Sequence, residues 1–120
     1  HCSWRTLSHD SWSGKGESAK ESADAVNALS QARKGAAIVA SSKLIQDEDS
    51  DPPCIRAKRT YTRIVQQLSV SGKFYCTGEY PKSTNVKPLV FEIDNVGVRV
   101  ANKAVIGAAS IAASPNLRAG

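Results

Sequence analysis

Methionine is absent from the 120 residues, histidine occurs twice and cysteine three times. Each shortage removes a class of chemistry. Without a Cys-x-x-Cys pair, the usual zinc frameworks and the haem-attachment motif have no ligands. GxSxG, P-loop, GxGxxG and HExxH patterns are missing too, and with them the commonest signatures of serine hydrolysis, nucleotide binding and metalloproteolysis. No apolar run approaches the ~20 residues of a membrane-spanning helix. The longest, "AVIGAASIAA" at residues 104–113, is short and rich in small side chains. Asn-x-Ser/Thr sequons are also lacking: none of the five asparagines has a hydroxyl residue two places on.

What remains fits one folded domain spanning residues 1–120. Hydrophobic residues make up 41% and charged residues 22%, a balance that argues against wholesale disorder. The net charge of +5 is unevenly placed. Residues 1–50 hold six Lys/Arg against seven Asp/Glu, whereas residues 51–120 hold ten against four. A basic C-terminal half suits an anionic partner, such as an acidic host-protein face or nucleic acid.

The cysteines Cys2, Cys54 and Cys76 are an odd set. In an oxidising compartment one pair closes and one thiol is left over. Cys54–Cys76 is the expected pair, because both flank expected neighbouring strands; the alternative is that Cys2 takes one of them. Closing that loop would stabilise by about 3 kcal/mol in the chain-entropy model. A first residue that is His rather than Met, together with a disulfide-capable set, points to a secreted protein whose signal peptide has been removed.

Residues 1–16 read as an N-terminal arm. Within it the frame His-x-Ser-Trp occurs twice, at His1–Trp4 and His9–Trp12. Trp4 and Trp12 are expected to anchor the arm to the core, as large apolar side chains with one donor each to satisfy. Residues 17–34 read as a helix. Ala19, Ala23, Val26 and Leu29 form its apolar stripe, acids crowd its start, Arg33 and Lys34 close it, and Gly35 stops it. Residues 36–46 read as a strand. "DEDSDPP" follows as an acidic loop; it begins like a calcium loop but has Pro52 and Lys58 where Gly and Glu are required.

From Cys54 the chain is rich in β-branched and aromatic residues and reads as antiparallel strands. Turns are expected at Ser71-Gly72, Asp94-Asn95 and Asn102-Lys103, with a last strand near 104–113 and a tail at 114–120. The expected fold is α+β: an antiparallel sheet of four to six strands over residues 54–113, with 36–46 a candidate addition and the N-terminal helix packed on it.

The densest candidate site is "RAKRTYTR", where Arg56, Lys58, Arg59 and Arg63 surround Tyr61. On a strand, Arg59, Tyr61 and Arg63 share a face, a cation–aromatic–cation row of the kind that tracks phosphates and stacks a base. The competing reading is a strand face made basic to prevent edge pairing. Catalytic sets are thin. Cys2 beside His1 or His9, and Glu79 with Glu92 on facing strands, are the two combinations that chemistry would allow. An N-terminal His chelates copper through its amine and imidazole, with a second imidazole completing the set. In this one residue, His1, the chain resembles the copper polysaccharide monooxygenases; His9 would be the partner ligand. No second element of that family is present, and the expectation is no metal and no cofactor.

These residues lead to two readings. The first is a small secreted, non-catalytic binding protein, effector- or toxin-like, with virulence as its setting. It would engage a host or competitor macromolecule through a basic sheet face. The second is a nucleic-acid-binding module using residues 56–63 as a basic strand.

Overall fold

The computed structural model describes residues 2–47 and 53–101. Two compact units divide the chain, His1–Lys87 and Pro88–Gly120. His1, residues 48–52 of the acidic loop, the turn expected at Asn102-Lys103, the strand expected near 104–113 and the tail at 114–120 lie outside the described residues.

In the first unit a single 3₁₀ turn, Trp4–Thr6, precedes a one-turn helix α1 (Trp12–Lys15) and a second 3₁₀ turn, Gly16–Ser18. Helix α2 covers only Ala23–Leu29, far less than the helix expected at 17–34. The reason lies in its serines. Ser22 caps the helix by accepting from the Ala25 N–H, while its own N–H donates to the Leu7 carbonyl. A residue so tied cannot continue a helix backwards. At the far end the Ser30 hydroxyl donates to the Val26 carbonyl, and the chain tightens into shorter turns.

Strand β1 (Ala37–Lys43), helix α3 (Ile55–Val65) and strand β2 (Lys73–Gly78) form a strand–helix–strand unit. The two strands are parallel, paired from Ala37↔Lys73 to Lys43↔Gly78 with an irregularity between Ala40 and Lys43. A crossover of this kind is what parallel pairing requires. Short β3 (Pro81–Lys82) and β4 (Asn85–Val86) close the first unit as an antiparallel pair.

The second unit contains β5 (Phe91–Ile93) and β6 (Val98–Val100), an antiparallel hairpin. Its turn lies where Asp94-Asn95 placed it, with the Asp94 carboxylate accepting from the Val96 and Gly97 amides.

The fold is thus mixed α+β, but it has three separate two-stranded sheets among the described residues rather than one continuous sheet. The largest correction is residues 55–65, expected as strand and found as helix. Ala57, Thr60, Tyr61, Ile64 and Val65 are buried, a three-to-four spacing that defines one helical face. β-branched residues weaken a helix by tenths of a kcal/mol each, whereas burying an Ile or Val side chain gains about 1.5–3 kcal/mol. Packing wins. Ser71-Gly72 likewise turns the chain from α3 into β2 and does not join antiparallel strands.

Two buried clusters lie around this unit. Trp4, Leu7 and Ala19 pack with Cys54, Ala57, Tyr61 and Ile64 of the α3 segment. Ala40 and Cys76, paired across β1 and β2, pack with Ile45. The expected Cys54–Cys76 disulfide is absent: all three cysteines are free and too far apart to bond. Cys54 belongs to the first cluster and Cys76 to the second, where its Sγ lies 3.3 Å from the Lys43 carbonyl. The cysteines therefore give no argument for an oxidising compartment.

Candidate functional site

The helical turn of α3 redistributes the expected cation–aromatic row. Arg56, Arg59 and Arg63, spaced by three and four, form one stripe, while Tyr61 points into the core. Tyr61 is 4% exposed and its hydroxyl donates to the Ser3 carbonyl, so the ring has no face to offer a base.

The cations of this stripe have partners within the chain. The Arg56 guanidinium donates to the Gly16 and Glu17 carbonyls and lies 4.5 Å from the Trp4 ring centre. Arg59 pairs with Glu17 at 2.8 Å and Arg63 with Glu21 at 2.5 Å. Glu21 also accepts from the Thr60 hydroxyl. Burial alone would raise the Glu21 pKa, but the Thr60 and Arg63 hydrogen bonds and the nearby positive charges outweigh it and hold the carboxyl below its ordinary range. Lys58, on another flank of the helix, pairs with Glu79. Ile55, Lys58, Arg59, Thr62, Arg63, Gln66 and Gln67 line a shallow, open depression of about 580 Å³ along α3. Its basic rim is largely neutralised from within.

A second group of cations has no such neutralisation among the described residues. Arg33 and Lys34 stand in the turn after α2, and Lys73 opens β2; all three are exposed. Backbone bonds hold these segments side by side. The Gly35 amide donates to the Val70 carbonyl at 2.6 Å, and the Lys73 amide donates to the Ala36 carbonyl at 3.1 Å. Gly35 has φ +83°, which favours glycine, and a Cβ on Gly72 would collide with the Ala36 carbonyl oxygen. Among the described residues none of Arg33, Lys34 and Lys73 makes an ion pair.

Lys73 leads onto the outer face of β1–β2. Ala40 and Cys76 are buried, so the strand alternation turns Val39, Tyr75 and Thr77 the other way. Val39, paired with Tyr75, is 36% exposed. The Lys73 ammonium lies 5.5 Å from the Tyr75 ring centre, and the Tyr75 and Tyr80 rings meet edge to face at 5.8 Å. Burial, and secondarily Tyr80, raise the Tyr75 phenol pKa. Beyond Tyr80, the Lys87 amide donates to the Tyr80 carbonyl, and Lys82 pairs in register with Asn85. Lys82 and Lys87 are both exposed and form no ion pair among the described residues.

The sequence did not expose this surface, because its parts come from residues 33–34, 73–75 and 80–87. The usable signal was the spacing of two β-rich runs around a helical-period segment, which is the mark of a strand–helix–strand unit.

Glu79 is bound to Lys58 and Glu92 to Arg99. The Cys2 thiol donates to the Val39 carbonyl, and burial raises its pKa, which disfavours the nucleophilic thiolate. His9 is exposed and His1 lies outside the described residues. No cluster of three or more metal-ligating side chains occurs among the described residues. No helix there is long and apolar enough to cross a membrane. Comparison with known proteins gives no match to a family model, a curated protein or a solved structure.

Proposed function

We propose that the chain is a small binding protein that acts by contact, in the manner of an effector or toxin, on an anionic macromolecule. Its contact surface is the basic outer face of β1–β2 with the Arg33–Lys34 turn beside it. One observation carries this reading: Arg33, Lys34 and Lys73 stand on adjoining segments and make no ion pair among the described residues, while the cations of α3 are matched by Glu17, Glu21 and Glu79. A cation already paired must give up its carboxylate before it can gain a phosphate, sulfate or foreign carboxylate. An unpaired one exchanges only water and counterions.

Retention on immobilised heparin tests the proposal, since heparin supplies anionic charge and no bases. Replacing Arg33, Lys34 and Lys73 together with Ser should move elution to markedly lower salt. Replacing Arg59 and Arg63 with Ser should change it much less. Absence of retention at low salt, or the opposite ranking of the two variants, would overturn the proposal.

A further inference from the structure

We propose that the outer face of β1–β2 takes single-stranded nucleic acid, with bases against Tyr75 and Tyr80 and phosphates at the lysines on either side. The inference rests on the anion-binding reading and adds a ligand class to it. Along β2 and the segment after it the order is Arg33 and Lys34 beside Lys73, then Tyr75, then Tyr80, then Lys82 and Lys87. A six-residue strand advances about 17 Å, enough for a few nucleotides of extended chain between the two groups of cations. Positive charge at both ends and two half-buried rings between them match a polymer that alternates anionic phosphates with flat apolar bases.

Two features favour single strands over duplex. A duplex keeps its bases stacked on one another, so it would use the lysines and leave the tyrosines idle. Moreover, a parallel sheet is ordinarily covered on both faces. Here Ala40 and Cys76 on one side are buried, whereas Val39 on the other is 36% exposed among the described residues. The Lys73 ammonium already stands over the Tyr75 ring, so a base on the aromatic pair brings its phosphate to a charge held nearby.

Fluorescence anisotropy with a labelled oligo(dT) on the order of ten nucleotides long, at low salt, reads this out. The intact chain should bind it more tightly than a duplex of the same length. Tyr75→Leu/Tyr80→Leu should weaken binding roughly ten- to a hundredfold while heparin retention holds. Tyr75→Phe/Tyr80→Phe, which keeps both rings, should bind as the parent does. Ultraviolet crosslinking to the intact chain provides a readout that needs no variant: crosslinks should fall within residues 73–87. Heparin retention without oligo(dT) binding, or equal affinity for duplex and single strand, would each overturn this inference and leave the polyanion reading standing; crosslinks centred on residues 55–66 would overturn it and the β1–β2 contact surface together. Loss of both heparin and oligo(dT) binding in the intact chain would overturn the two together.

Discussion

Trp4 shows how a short arm is fastened by one side chain. It is 4% exposed, its indole N–H donates to the Asp10 carbonyl at 3.1 Å, and the Arg56 guanidinium covers its ring. Trp12 meets it edge to face at 6.3 Å and stays partly exposed. The duplicated His-x-Ser-Trp frame is therefore an unequal pair: Trp4 enters the core beside α3 and Trp12 packs over it. Trp4→Ala should cost ~3–5 kcal/mol in chemical denaturation. Trp12→Ala should cost clearly less, and equal losses would contradict this division. Gly72 supplies a second test at this scale. An alanine there must displace the Ala36 backbone, so Gly72→Ala should lower stability by about 1–3 kcal/mol, measured the same way.

At the scale of elements, α3 is held from both sides: by the segment before α2, at Glu17 and Glu21, through Arg56, Arg59 and Arg63, and by the segment after β2 through Lys58–Glu79. The carboxylates make the N-terminal segments sensitive to acid. Asp10 is held below its ordinary pKa, first by the Lys20 amide and then by Lys15. Glu21 is held low by Thr60 and Arg63 against the opposing effect of burial. A carboxyl whose folded pKa is depressed contributes stability above its unfolded pKa, near 4, and loses it as pH falls through the lower folded value. Thermal stability should accordingly decline below about pH 4. Glu21→Gln should flatten that decline and lower stability at pH 7; an unchanged acid profile would contradict the role given to Glu21.

The same elements explain what could be read in advance. The β5–β6 hairpin was legible because Asp94 both ends a strand and bonds its own turn. Strand β1 was legible from its apolar run. Helix α3 was not, because Ile55, Thr60, Tyr61, Thr62, Ile64 and Val65 are strand-formers by propensity, and only the packing of its buried face, with Ala57, Tyr61 and Ile64 against Trp4 and Leu7, selects the helix. Once 55–65 turns helical, the Arg59–Tyr61–Arg63 row dissolves, and the candidate site moves with it. The parallel pairing of β1 with β2 is long-range, and no local residue pattern announces it.

For the whole molecule, the position of charge matters more than its amount. A net +5 is shared between cations that bind the fold together, as Arg56 and Arg63 do, and cations left at the surface of the first unit. Exposed ion pairs such as Arg59–Glu17 are worth at most about 1 kcal/mol, so losing that pair should leave stability almost unchanged. Binding, by contrast, should fall steeply with salt, its log–log slope easing by roughly one for each contact cation removed. The central claim is the location of the anion-binding surface, and amide chemical-shift mapping during titration with heparin fragments tests it most directly. The largest shifts should fall in residues 33–37, 70–75 and 80–87, with residues 55–66 little affected. Shifts concentrated along α3, with the β1–β2 face silent, would contradict the account.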